Sequence, residues 1–464
     1  MFPNRLTLLV VLAVVSTTAF AQENKFNDAS KLRHASSGNI VYVPGSTQKI
    51  CQVTGDLDRE NDPPAFVYPP GTPTASQTAT RYGLFGADLG YSFEHNGRLF
   101  FLFGDAMPTP TFHGQLNGVP PNGPRSPDDD DAIGFVWDAD ITGPCPALDF
   151  IASPNGAFQS PVVLDAQGRP AITLRIDEFP VAGISAGGRM YVIFATDNYV
   201  YLQGGQPVAG NLGFPTRTVV GVSDDDAQTF HFLYDFSKPA SPGADGAKFI
   251  YIAIARGHDD YLYFWGSEGG TQFRQSVPYL ARKKAALIDL PGEMEYFRGL
   301  DPDGRPLFSS SEADAVALFT DHDGANFVPK NCMAQKGVEW DPYVNRWVML
   351  YDCTDKTTLN LPGIYMRTAE QPWGPWSPPQ TIFNAERDNG TCYFIHRPVP
   401  PSPGCDDLST PDRIQLAGGN YAPYFISRFT TGDEDRWRST FYWTMATFNP
   451  YTQVIMKTTI QGAP

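Results

Sequence analysis

Runs rich in Val, Ile, Leu, Phe, Tyr and Trp recur along the chain between clusters of Gly, Asn, Asp and Pro, and the three-to-four-residue spacing of an amphipathic helix is nearly absent. Five of these runs double back on a turn: Gly86 to Gly104, Ala182 to Thr196, Ala247 to Gly266, Val338 to Asp352 and Ser439 to Ile460. Each predicts a β-hairpin. Only Ala281 to Leu290 and Ser310 to Phe319 leave room for a short turn or helix. In Leu99-Phe100-Phe101-Leu102-Phe103, and again in Met190-Tyr191-Val192-Ile193-Phe194, apolar residues occupy both parities of the strand, so both faces of the sheet must be covered. A barrel or a one-sided sheet would alternate. Radially stacked sheets cover one another on both faces, so five strand clusters predict an all-β five-bladed β-propeller, with a large β-sandwich as the rival.

Ser223-Asp224-Asp225-Asp226-Ala227-Gln228-Thr229-Phe230 resembles the Asp-box turn of sialidase-type propellers, with Ala227 where Gly is usual. Thr320 to Phe327 repeats it more weakly. Such boxes are structural turns and speak to the fold alone. Composition narrows the partners: Asp plus Glu number 50 against 34 Lys plus Arg, a net charge of −16. Attraction to phosphate backbones or anionic lipid is therefore not a main source of affinity, and neither nucleic acid nor a membrane is expected as a partner. With 13% aromatic and 18% charged residues the chain is not of a disordered type.

Arg5, the apolar run Leu6 to Val15 and Ala19-Phe20-Ala21 form an export signal, so residues 1–21 read as a signal peptide and the mature chain as secreted. Residues 22–81 are polar and Pro-rich and read as an irregular lead-in. The propeller is expected over residues 82–464, as a monomer. In an oxidising compartment the six cysteines are disulfide candidates. Proximity suggests Cys332 with Cys353 and Cys392 with Cys405, leaving Cys51 with Cys145.

The segment Gly86 to Asp105 carries the candidate chemistry. Asn96-Gly97 is a strong two-residue turn signal; it pairs His95 with Arg98 and, carried to the open end, Asp88 with Asp105. Two opposed carboxylates destabilise a sheet. They could share a proton and supply an acid and a nucleophile, bind Ca²⁺ with help from Asp128 to Asp131, or be solvated loop ends. Direct opposition, at roughly 5 Å, leans towards a retaining glycosidase, although a bulge at Gly90 or Gly104 would move one carboxylate.

The same segment resembles the G-T-D-L-G…F-G-D-T signature of a secreted propeller family from bacteria and fungi, long catalogued without function and now associated with endo-D-arabinanase glycoside hydrolases. Asp131-Ala132-Ile133, Gly187 to Tyr191, Ser276 to Arg282, Trp340 to Tyr343, Arg346 to Tyr351 and Tyr421 to Tyr424 follow in the same order. The resemblance implies a five-bladed propeller that cleaves a furanose polysaccharide, with Asp88 and Asp105 as catalytic carboxylates. Ala87, Ala106 and the insert from Pro108 to Asp130 depart from the family pattern beside that site.

Asp131, Arg274, Glu339, Trp340 and Tyr421 are the substrate-binding candidates: Asp131 to orient a carboxylic acid or bind sugar hydroxyls, Arg274 to hold a carboxylate ionised, Glu339 as a third carboxylate, Trp340 to stack on a sugar, and Tyr421 to line the cleft. No cofactor is required; a structural Ca²⁺ is the metal candidate, and the seven scattered histidines lack the spacing of a catalytic zinc site. Gly183-Ile184-Ser185-Ala186-Gly187 fits the nucleophile elbow of esterases, but a strand follows where that motif needs a helix. The expected function is a polysaccharide hydrolase. The alternatives are a carbohydrate-binding propeller with Ca²⁺ and a sialidase-like exoglycosidase.

Overall fold

The computed structural model describes residues 38–59, 71–110, 131–174, 177–198, 202–203, 206–207, 214–241, 244–321, 331–353, 363–398, 408–411 and 413–463. The export signal, Asp128 to Asp130, Cys405 and most of the weaker box lie outside them.

Five antiparallel sheets form the body. Blade one is Gly86–His95, Arg98–Met107, Ala132–Trp137 and Asp149–Phe150. Blade two is Phe179–Ala186, Arg189–Thr196, Arg217–Ser223 and Phe230–Ser237, with Val163–Leu164 added in parallel at its outer edge. Blade three runs from Tyr251–Arg256 through Tyr261–Ser267, Tyr279–Lys284 and Glu295–Leu300 to Pro306–Ser309. Blade four is Met333–Asp341, Arg346–Cys353, Gly363–Ala369 and Gln380–Phe383. Blade five starts with Asn420–Phe425, followed by Arg438–Thr447 and Thr452–Gly462. The first strand of each blade touches the first strand of the next, and that of blade five touches that of blade one. This closed ring makes the fold a five-bladed β-propeller. The expected hairpins are the inner pairs of blades one to four and the second and third strands of blade five.

Packing explains why both strand parities are apolar. Leu99, Phe101 and Phe103 share a buried cluster with Ile426 and Ile455 of blade five, whereas Phe100 and Leu102 share one with Val181 and Val192 of blade two. Each face of blade one is thus a core. Thr78–Tyr82 is the one α-helix among the described residues. At the two places expected to allow a helix, only single 3₁₀ turns form, Ala285–Leu287 and Glu312–Asp314.

The lead-in is only partly irregular. Ile40–Tyr42 and Gln48–Gln52 pair with Thr452–Gly462 and complete blade five, so an early segment closes the sheet built from the last strands. Ile40–Tyr42 is a run of only three apolar residues and Gln48–Gln52 has no apolar–polar alternation, so neither stands out from the surrounding polar stretch. Cys332 is bonded to Cys353 within blade four, as expected from proximity, and Cys51 of this closing segment is bonded to Cys145 of blade one, the pair left over. Cys392 is also disulfide-bonded.

The Asp box is a real turn. Ser223 Oγ accepts from Ala227 N at 3.0 Å, Asp225 accepts from Thr229 N at 2.9 Å, and Phe230 is fully buried. Ala227 takes the left-handed backbone (φ 73°) that Gly would adopt more easily. Asp226 of the same turn accepts from Asn96 Nδ2 at 2.9 Å, joining blade two to the Asn96-Gly97 turn of blade one.

Candidate active site

Asp88 and Asp105 lie on the two inner strands of blade one, at the end away from the Asn96-Gly97 turn. The register holds from His95–Arg98 to Tyr91–Leu102, and then two bulges intervene. Gly90 is extra on the inner strand, so Asp88 opposes Gly104; Asp105 and Ala106 then face Ala87 alone, and Gly86 meets Met107. Leu89 (φ 65°), Gly90 (φ 80°) and Asp105 (φ 43°) take left-handed backbone to do this. Direct opposition of the two aspartates is therefore corrected, and the ground for expecting retention goes with it. Gly104 is what allows the close packing: a Cβ there would lie 3.0 Å from Asp88 Oδ1 and 2.8 Å from Leu89 Cδ1.

Both carboxyls are 7% exposed, and their surroundings differ in sign. Asp88 Oδ2 accepts from the Tyr421 hydroxyl at 2.9 Å, while Oδ1 is buried with no hydrogen-bond partner among the described residues. Burial pushes Asp88 up to about 7, against the pull of the Tyr421 and Tyr451 hydroxyls and the Arg274 and Arg413 guanidiniums. Asp105 Oδ1 accepts from the Asp177 main-chain N–H at 2.9 Å. Burial raises Asp105 well above the carboxylate range, and the negative charges of Asp177, Asp88 and Asp131 raise it further. One carboxyl sits among hydroxyls and cations, the other among carboxylates.

The strands bring three of the five substrate-binding candidates to this pair. Tyr421, on the first strand of blade five, bonds Asp88 directly. Arg274, in left-handed backbone (φ 59°), lies over the rings of Phe273 and Tyr421 at 4.8 and 5.9 Å and acts on Asp88 by charge. Asp131 reaches the field of Asp105 and is completely buried, with its main chain tied to Ser160 Oγ. Asp177, Tyr451 and Arg413 were not anticipated. Asp177 follows no motif, and Tyr451 and Arg413 come from segments distant in sequence. The one local sign was Gly86, where a Cβ would lie 2.2 Å from the Tyr451 carbonyl oxygen.

Residues 74–457 match the family model described as "Domain of unknown function (DUF4185)". The chain belongs to the DUF4185 family. No curated protein matches its sequence. Similar solved structures include an exo-β-1,3-galactanase from Phanerochaete chrysosporium, at 10% identity and TM-score 0.42, with 89% of this chain and 64% of that one covered. The chain thus spans 64% of the galactanase's length. An α-L-arabinofuranosidase from Lactobacillus brevis is similar at 11% identity and TM-score 0.40, covering 82% and 94% of the two chains. An exo-1,5-α-L-arabinanase from a bovine ruminal metagenomic library is similar at 9% and 0.38, covering 81% and 94%. Nothing about the chemistry of this chain follows from likenesses so distant.

In this DUF4185 chain Glu339 and Trp340 are not brought to the aspartates. They stand beside the turn at the other end of blade four's inner hairpin, where Glu339 bonds Ser427 Oγ at 2.6 Å and Trp340 packs on His258 at 4.3 Å. Their neighbourhood is set by strand direction, which residue type does not reveal. Ser185 lies in a strand followed by a strand, as anticipated. Its Oγ meets His95 Nδ1 at 2.8 Å and His95 Nε2 is 3.3 Å from Asp226, a clamp between blades one and two in which the imidazole is only 3% exposed. Among the described residues the three-ligand group that converges is Asp321 with Cys332 and Cys353, and those sulfurs are bonded to each other. A cleft of about 660 Å³ on the flank of blades two and three is lined by Tyr234, Tyr261, Tyr296 and Phe308 among others, and none of the acidic group borders it.

Proposed function

We propose that this chain is an exported glycoside hydrolase that cleaves a polysaccharide, with arabinan as the substrate class, through Asp88 and Asp105. The observation that carries the reading is the opposite character of the two carboxyl environments at one end of one hairpin. Asp105, among carboxylates and bonded to a single main-chain N–H, is favoured in its protonated form, and it gives its proton to the glycosidic oxygen as the bond to the anomeric carbon breaks. Asp88, with a tyrosine hydroxyl bonded to it and two guanidiniums in its field, is favoured in its ionised form relative to Asp105. It either attacks the anomeric carbon or takes a proton from the attacking water. Because the two interact, they titrate as a pair, in which Asp88 is the first to ionise. Arabinan comes from the resemblance carried by Gly86 to Asp105, and export from the signal-like first 21 residues.

The test is release of reducing sugar from a panel of arabinans, galactans and other furanose and pyranose glycans. The wild type is expected to act on an arabinan, and Asp88→Asn and Asp105→Asn each to lose about 10²–10⁴-fold while keeping the wild-type circular dichroism. Silence of the wild type across the panel, together with glycan binding that a chelator removes, would replace the hydrolase by a Ca²⁺-dependent binding propeller.

A further inference from the structure

Asp177 stands in the turn just before the inner strand of blade two, half-buried, and holds left-handed backbone (φ 60°). That conformation is uncommon outside Gly, and Asn and Asp tolerate it best. Here it aims the Asp177 N–H at Asp105 Oδ1, 2.9 Å away, from a neighbouring blade. The side chain of the same residue is the strongest of the charges acting on Asp105. One residue thus supplies an anchoring donor and an opposing charge to the same carboxyl.

Resting on the reading of Asp105 as the proton donor, we propose that Asp177 is a positioning residue: its main chain fixes one oxygen of Asp105, and its carboxylate keeps the proton on Asp105 until the leaving oxygen takes it. The other groups that face Asp105 are Asp88 from its own blade, Asp131 from the segment entering the third strand of that blade, Tyr251 from blade three, and Tyr421 and Tyr451 from blade five. Arg274 acts on Asp88, Tyr251 and Tyr421. None of these carries both the donor and the charge.

Asp177→Asn separates the two roles, because it keeps the N–H, the volume and the tolerance for left-handed backbone while removing the charge. Loss of a like charge lowers the pH at which Asp105 ionises. The basic limb of the kcat/KM profile should therefore move to lower pH by about one unit, with Asp177→Glu restoring much of the wild-type profile. A basic limb that stays in place, or a loss of activity equal at every pH, would overturn the proposal. A second readout needs no turnover: in Tm measured against pH, the fall that Asp105→Asn abolishes should level off at lower pH in the Asp177→Asn background than in the wild type, and an unmoved levelling point would count against it. If Asp105→Asn retains full hydrolysis, the function proposed above fails, while the melting comparison still reports whether Asp177 acts on Asp105.

Discussion

At pH 8 the folded chain holds Asp88 ionised in a site that favours its neutral form. Its ordinary value of 3.8 is raised to about 7, so between these two pH values the folded state binds more protons than the unfolded one, and stability from this group falls as pH climbs through the window. Each pH unit of that window corresponds to about 1.4 kcal/mol, an upper figure for a pair that shares its proton. Asp88→Asn should then melt several degrees above the wild type at pH 8 and level with it near pH 4, read by calorimetry across pH. Tyr421→Phe works in the other direction on the same carboxyl. It removes a hydroxyl that favours the charged form, so the acid limb of kcat/KM should move to higher pH. Asp88, Asp105 and Tyr421 were legible in the sequence because each lies among glycines that mark a tight approach of backbone. Asp177 was not, since a donor supplied by the main chain of an arbitrary residue leaves no trace in residue type.

Hairpins announce themselves through turns and apolar strands, which is why all five were readable, but the register near the site was decided by backbone that composition does not specify. Gly90 signals its bulge; Leu89 and Asp105 adopt left-handed angles without being Gly, and so carry no such signal. The first strand of blade five, Asn420–Phe425, was missed as a strand because it pairs with Arg438–Thr447 across an intervening segment and not through a short turn. The bulged end also has little spare room. Gly104→Ala would place a methyl within 3.0 Å of Asp88 Oδ1, Leu89 Cδ1 and Phe179 Cβ. It is expected to cost about 1–3 kcal/mol by overpacking, and to lower kcat more than that stability loss explains, because the displaced atoms include the carboxylate itself. Paired measurements of Tm and kcat would separate the two effects.

The ring as a whole is held where blade five meets blade one. Gln48–Gln52 covers the outer edge of Thr452–Gly462, and the Cys51–Cys145 bond, spanning 94 positions, ties that covering strand to blade one. Replacing both cysteines by serine should lower stability by about 2–4 kcal/mol. Activity should fall at a lower urea concentration than the loss of bulk β-structure, since the seam carries the site. The carboxyl of Asp88 and the hydroxyl it accepts from, Tyr421, lie on opposite sides of that junction and 333 positions apart.

Such a layout has a consequence for how the molecule comes into being. Ser46 of the closing segment bonds Thr459, 413 positions later, so the earliest part of the body waits for the latest before either is complete. A nascent chain with four finished blades has its first aspartate in hand but neither Tyr421 nor Tyr451 to act on its charge, and the charge balance of the acidic pair should be set in one step, when the circle shuts.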